Sequence, residues 1–222
     1  MILKRIFDLS ASFVGLVILL PLFMVLALLI KIKMPGPVFF VQNRVGQDGK
    51  IFAMVKFRTM SPGHGGSSIT VKGENRITPL GAYLRKYKLD ELPELWNILK
   101  GDMSLVGPRP DVPGYADLLE GNDRLVLSVK PGLTGAASLC FINEEEILSK
   151  QADPKYYNDE ILFPEKVRIN KNYITKWSMM LDFKIILYTI MGKKLNDHWA
   201  QDETESLLNN KPRTLLTPEE NK

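Results

Sequence analysis

Cysteine and histidine are almost missing from this chain of 222 residues, which has one Cys and two His. A lone cysteine closes no internal disulfide, so a disulfide-stapled scaffold is excluded and a reducing compartment fits. His64 and His198 have no partners at metal-ligand spacing and are assigned no role; Cys140 reads as a small buried hydrophobe. Internal repeats are absent, and so is any recognised nucleic-acid-binding motif, so nucleic acid is not an expected partner. A hydrophobic share of 45% and a charged share of 24% are ordinary for a globular protein and exclude long disorder. The net charge of +4 conceals an asymmetry. Residues 1–100 hold 14 Lys and Arg against 6 Asp and Glu, a balance of +8, while residues 101–222 hold 15 against 19, a balance of −4. A basic N-terminal half points to anionic lipid, anionic substrate, or both.

That basic half also carries a long apolar run. From Leu9 to Ile30 there are 22 residues without a charge, enough for a membrane helix. Lys4 and Arg5 precede the run like the start of a signal peptide, but it is too long and leads into Lys31-Ile32-Lys33 without a small-x-small cleavage site. Positive charge on both flanks favours the same, cytoplasmic side for both ends. Pro21, mid-run, removes one backbone hydrogen bond and predicts a kink. Two readings stay open from the residues: a spanning helix with a tolerated proline, and a helix that enters, bends and returns.

Beyond Met34-Pro35-Gly36-Pro37, Val38–Val45 and Ile51–Phe57 read as a β-hairpin joined through Gln47-Asp48-Gly49. Ser61–Asn75, rich in Gly and Ser, reads as a connector, of the kind that can also close over a ligand. Arg76–Leu99 reads as mostly helical with an interruption near Lys88–Pro93. Pro113–Leu119 is a short helix candidate, and Pro131-Gly132 a break. Val167, Tyr173, Trp177, Leu181, Ile185 and Tyr188 recur at helical spacing over Phe163–Met191, predicting one long amphipathic helix. The polar tail follows Lys193. The expected division is a membrane segment over 1–34, a catalytic domain over 35–192 and a tail over 193–222.

The densest chemistry lies in Lys88–Pro110. Asp90 and Glu91 are adjacent acids before Pro93, and an ordinary reading makes Asp90 a helix cap and Glu91 a first-turn acid complementing the helix dipole. Their surroundings argue for more. Arg85, Lys86 and Lys88 precede them; Asp102 and Gly107-Pro108-Arg109-Pro110 follow. Prolines on both sides of Arg109 fix its backbone, which suits a guanidinium that clamps phosphate. Acids beside a basic cluster are the parts of a phosphoryl-transfer site, where a carboxylate holds Mg²⁺ or attacks phosphorus.

Taken in order, the proline-containing apolar segment, Lys56-Phe57-Arg58-Thr59-Met60, Leu89-Asp90-Glu91-Leu92-Pro93, Gly101–Pro110 and Lys130-Pro131-Gly132-Leu133-Thr134-Gly135 resemble the monotopic phosphoglycosyl transferases of the bacterial sugar transferase family. The resemblance covers about residues 1–192, and the chain is most similar in extent to the small members, such as the diacetylbacillosamine-phosphate transferase. It implies an α/β fold, mostly helical with a small β-hairpin, and a re-entrant helix–break–helix at Pro21. It implies transfer of a sugar-1-phosphate from a UDP-sugar to polyprenyl phosphate on the cytoplasmic face of the bacterial inner membrane. Asp90 would be the nucleophile, with Glu91 orienting the pair or binding Mg²⁺ with it. Arg109, Arg85, Lys56 and Arg58 would hold phosphate, Pro108 and Pro110 would fix Arg109, and Asp182 on its apolar helix would support the site. One departure is plain: Leu20-Pro21 stands where family members often have Ser-Pro, so no hydroxyl is available to bond the carbonyl freed by the proline. Two rivals keep most of these residues: an Mg²⁺-dependent hydrolase with water as acceptor, and a non-catalytic basic adaptor on a membrane surface. The sugar is not legible, and a homo-oligomer remains open.

Overall fold

The computed structural model describes residues 2–61 and 76–195, so His64, His198, the tail beyond Leu195, and all but the first residue of the Ser61–Asn75 connector lie outside the described residues. The apolar run forms a single helix, α1 (Ile2–Lys33), with Pro21 inside it. At 1.5 Å per residue it is about 48 Å long. The anticipated division into two helices is not seen as an interruption: helical structure continues through Pro21. A proline removes only its own N–H from the ladder, and both halves of α1 are packed on the same body. Lys4, Asp8, Ser12, Leu26 and Ile30 are buried, and Leu16 and Leu19 fill the interval against Phe52, Met54, Leu95, Ile98 and Met103. These positions repeat at three to four residues and form one continuous stripe. The opposite face leaves Phe13, Val14, Val17, Ile18, Met24 and Leu28 exposed.

The hairpin forms where the sequence placed it. Strands β1 (Phe39–Val45) and β2 (Ile51–Phe57) pair antiparallel, with Phe39 opposite Phe57 and Val45 opposite Ile51. Asp48 (φ 58°) and Gly49 (φ 78°) supply the positive φ that the turn between them needs. On β2, Phe52 and Met54 face inward. Period-two alternation puts Lys56 on that same face, one step further along.

Helix α2 (Pro79–Lys86) starts at Thr78, whose hydroxyl accepts from the Gly81 amide at 2.9 Å. Helix α3 (Glu94–Lys100) ends at Gly101 in the left-handed conformation (φ 103°). Asn97, wholly buried on α3, donates to the Ala53 carbonyl at 2.7 Å and accepts from the Val55 amide at 3.0 Å, fixing α3 against β2. A second small sheet, unforeseen from sequence, pairs β3 (Ser104–Val106) parallel to β4 (Gly132–Thr134). Three-residue strands carry too little periodicity to be read.

The remainder is helical: α4 (Ala136–Cys140), α5 (Glu144–Ser149), α6 (Pro154–Tyr157), a π-turn over Asn158–Leu162, α7 (Phe163–Thr175) and α8 (Met179–Met191). The single helix expected over Phe163–Met191 is therefore two. Ser178 adopts extended geometry and its hydroxyl accepts from the Leu181 amide at 3.1 Å, so α8 has its own N-terminal cap. Pro113–Leu119 contains one 3₁₀ turn, Ala116–Leu118, rather than an α-helix. Val106, Ala136, Leu139, Ile169, Tyr173 and Ile185 make the largest core, where β3, α4, α7 and α8 meet. Cys140 is half-buried beside it.

Three polar attachments tie the start of α1 down, one of them the Arg5 guanidinium, which donates to the Ile98 carbonyl at 2.8 Å and the Leu99 carbonyl at 3.2 Å. The Lys4 ammonium donates to Asp182 at 2.5 Å, and the same carboxylate accepts from the Tyr173 hydroxyl at 2.7 Å and the Trp177 indole N–H at 3.1 Å. Asp8 accepts from the Ser104 hydroxyl at 2.8 Å and the Leu105 amide at 3.1 Å. The far end of α1 is held by packing, with Leu26, Ile30 and Met34 on Phe57 and Leu84.

Candidate active site

Between α2 and α3 the chain reverses at Lys88, a non-glycine residue in the left-handed region (φ 55°). Such a conformation costs about 1–2 kcal/mol and persists only where its surroundings impose it. The next three residues, Leu89–Glu91, form one 3₁₀ turn with both acids buried. Asp90 is 6% exposed, and its Oδ1 has no hydrogen-bond partner among the described residues. That oxygen therefore does not cap α3, whose N-terminal position is Pro93 and lacks a side-chain cap.

Glu91 is treated differently. The Arg109 guanidinium donates to its Oε1, and Lys56 Nζ donates to the same oxygen at 3.0 Å. Lys56 also lies 3.1 Å from Glu94 Oε1. Although burial works against it, the Arg109 and Lys56 charges hold the Glu91 carboxyl well below the ordinary carboxylate range. Burial, and then the neighbouring Glu91 charge, push Asp90 up. Burial and Glu91 likewise raise Glu94, despite the Lys56 charge. Arg109 is raised by Glu91.

The loop bearing Arg109 is set by backbone contact. Ser104 N donates to Pro131 O at 2.9 Å, Gly107 N to Thr134 O at 2.9 Å, and Gly132 N to Pro108 O at 2.8 Å. At this closeness a Cβ on Gly107 would fall 2.5 Å from the Lys130 carbonyl oxygen, and one on Gly132 would fall 2.1 Å from the Gly107 amide nitrogen. Gly107 and Gly132 are thus required by main-chain approach rather than by turn geometry. Pro108 and Pro110 are buried on either side of the partly exposed Arg109.

The structure places the other predicted site residues in two groups. Lys56 joins Asp90, Glu91 and Arg109. Arg85 is ion-paired with Glu145 of α5. Arg58 is buried away from this cluster, donating to the carbonyls of Met34, Pro35 (3.0 Å) and Pro37 (2.7 Å). It fastens the loop leaving α1 instead of facing the acids. Asp182 engages Lys4, Tyr173 and Trp177, as described, rather than the acid pair.

Sequence reasoning passed over Glu94, Arg44 and Asp111. Arg44 donates to Pro110 O at 3.1 Å and to Gln42 Oε1 at 2.8 Å, while its Nε is buried without a partner. Asp111, immediately after the Pro-Arg-Pro run, is pushed up to about 6 by burial. Glu94 had a readable sign, an acid three residues after Glu91 on the same helical entry; Arg44 and Asp111 had none.

A buried carboxylate with an open oxygen, beside cations that neutralise a second carboxylate, can act as a nucleophile toward an anion that those cations attract. Among the described residues no three acids, histidines or cysteines converge as a metal cluster. The open Asp90 oxygen is nonetheless the kind of ligand Mg²⁺ takes, since that ion usually completes its shell from one or two carboxylates, substrate phosphates and water.

Comparison with known proteins gives the family of the chain that carries this arrangement. Residues 1–194 match the model of the bacterial sugar transferase family, and the chain belongs to it. It is 37% identical over 190 residues to a sugar transferase of Bacillus subtilis, EpsL, covering 86% of each chain. It is 36% identical to the UDP-glucose:undecaprenyl-phosphate glucose-1-phosphate transferase of Escherichia coli, over 88% of this chain and 41% of that one. Identity is 35% to the UDP-N-acetylgalactosamine-undecaprenyl-phosphate N-acetylgalactosaminephosphotransferase of Aeromonas hydrophila, over 85% and 43%. The chain thus spans less than half the length of the last two.

Proposed function

We propose that the protein transfers a sugar-1-phosphate from a UDP-sugar to undecaprenyl phosphate, through a covalent intermediate on Asp90. The observation that carries this reading is the unpartnered Oδ1 of a buried Asp90 beside Glu91, Lys56 and Arg109. In the first step an Asp90 oxygen forms a bond to the phosphorus that bears the sugar, and the bond from that phosphorus to the UMP oxygen breaks. UMP leaves with the bonding pair. In the second step a phosphate oxygen of undecaprenyl phosphate attacks the same phosphorus and the Asp90 carboxylate is released. The product is an undecaprenyl diphosphate sugar, the first membrane-bound intermediate of a bacterial glycoconjugate.

Burial favours this use of Asp90, because a poorly solvated carboxylate is more basic and more nucleophilic than one in water. Arg109 and Lys56 are positioned to take the phosphate charge, exchanging part of their contact with Glu91 for it. Asp90 and Glu91 are the residues that would hold Mg²⁺, whose chemistry there is Lewis-acid neutralisation of the diphosphate.

The acceptor is a lipid, so the site belongs at a membrane surface. Helix α1 is the one described helix long and apolar enough to cross a membrane. Its exposed apolar face is continued by Met180, Phe183, Leu187 and Ile190 of α8, with Phe7 and Phe183 in edge contact at 5.0 Å. An apolar surface of this extent is not left in water. Both ends of α1 are fastened to one body, so they cannot lie on opposite faces of a bilayer without taking that body across. This argues against a spanning helix and favours an anchor held on one face of the bilayer, and Lys4, Arg5, Lys31 and Lys33 favour the cytoplasmic face.

The test is to incubate the full chain, in nanodiscs, with a panel of UDP-sugars and Mg²⁺ without acceptor. A phosphosugar adduct mapped to Asp90, lost on adding undecaprenyl phosphate, is the expected result. UMP release with no adduct would instead indicate hydrolysis or direct transfer.

A further inference from the structure

On the side of Arg109 away from the acid pair, a cleft runs between the Pro108–Asp111 segment and α7. We propose that this cleft seats the nucleobase of the donor and that Asn170 reads the base edge; the inference rests on the sugar-phosphate transfer proposed above. Three observations lead to it.

The first is position. Arg109 belongs to both places: its guanidinium donates to Glu91 on one side, and the same residue lines the cleft on the other. Displacement at phosphorus runs in line, so the leaving group departs opposite the attacking oxygen. With Asp90 as nucleophile and Arg109 holding phosphate, the leaving nucleotide points away from the acid pair, toward the cleft. The sugar is not the leaving group and occupies a lateral position on the phosphorus.

The second is size. The enclosed part measures about 60 Å³, room for roughly four to six waters, which suits one small planar ring with its ribose outside at the Arg109 mouth. Phe163 and Val167 of α7 give it an apolar wall.

The third is unmet hydrogen bonding. Asn170 lines the cleft, is 8% exposed, and its Oδ1 has no partner among the described residues. A buried amide oxygen left without a donor is destabilising, and such groups are rare without a reason. A carboxamide is complementary to the imide edge of uracil. Oδ1 accepts from the ring N3–H and Nδ2 donates to an adjacent carbonyl. The nearby Glu144–Lys166 ion pair (2.5 Å) satisfies itself, and Asn170 Oδ1 is the lining side-chain atom buried without a partner among the described residues.

The experiment compares UMP and ribose 5-phosphate as ligands of the full chain in nanodiscs, by calorimetry and by inhibition of adduct formation. Both carry the phosphate and the pentose, and only UMP carries the base. For the native chain UMP is expected to bind more tightly. In Asn170→Leu, UMP affinity falls about 10- to 100-fold toward that of ribose 5-phosphate, whose own affinity is unchanged. Should Asn170→Leu fail to fold, Asn170→Asp keeps the volume and removes the donor, and the same loss confined to UMP is expected. Unchanged UMP affinity in the variants overturns the proposal, as does an equal loss of both ligands. If the native chain forms the Asp90 adduct while Asn170 proves indifferent, only the base subsite falls. If it forms no adduct with any UDP-sugar and binds no UMP, the transfer reaction falls with it.

Discussion

Asp90 and Asp182 are both almost wholly out of water, and the molecule surrounds them in opposite ways. Asp182, 1% exposed, accepts from an ammonium, a phenol and an indole, so its charge is matched and its oxygens are engaged. Asp90, 6% exposed, keeps one oxygen without a donor among the described residues and stands next to another acid. A satisfied buried carboxylate holds structure together. An unsatisfied one is destabilising, and its retention indicates a use outside the resting fold. One carboxylate fastens α1 to the body; the other is the nucleophile proposed above.

Substitution of Asp90 should break the contrast most severely. Asp90→Asn is expected to lower turnover by on the order of 10³-fold or more, as removal of a nucleophile does, while leaving the melting temperature unchanged or higher. Radiolabelled sugar transfer and thermal unfolding in nanodiscs check the two halves. A clear loss of stability would show that Asp90 has structural partners after all.

Asp182→Ala should do the reverse. Lys4 would be left buried without its counter-charge and the Trp177 indole without its acceptor, at a cost of about 3–5 kcal/mol. The folded fraction should retain its turnover. Lys4→Met with Asp182→Leu, which removes both charges, should recover much of the loss.

Arg109→Lys is expected to reduce turnover by about 10²-fold, because a point charge cannot reproduce the planar fork that meets Glu91 and phosphate together. Its effect on the melting temperature should be small beside that of Asp182→Ala, since Arg109 is partly exposed.

The smallest effects are on pH dependence. Asp90 must be ionised to attack, and its proton is held above the ordinary 3.8, so the acid limb of kcat/KM should lie above that value. Asp111 provides a stability test. The unfolded group releases its proton near 3.8 and the folded one near 6. Between these values the folded state binds more protons, so stability falls as pH rises across the window and levels off above it. Asp111→Asn should flatten that segment of the stability profile, measured by urea unfolding, and raise stability at neutral pH.

The sequence by itself determined the membrane helix, the hairpin and the pairing of acids with a proline-flanked arginine. A long uncharged run, a strand–turn–strand pattern and a motif are all local, and local order survives without knowing what packs where. The family resemblance added Lys56 to the candidates, and in the fold its ammonium donates to Glu91. What only the tertiary structure decided concerns partners distant along the chain. Arg58 was indistinguishable from Lys56 by motif, yet it ties down the loop after α1, because hydrogen-bond partners are not written in the residue type. Asp182 proved to belong to Lys4, 178 positions away. The division of the last long helix turned on one capping serine, and the continuity of α1 through Pro21 on packing that holds both of its halves. Asn170, an unremarkable polar residue on an amphipathic helix, became a candidate base reader only when folding buried its oxygen without a donor. Burial and unmet hydrogen bonding arise from the whole fold, and no stretch of sequence contains them.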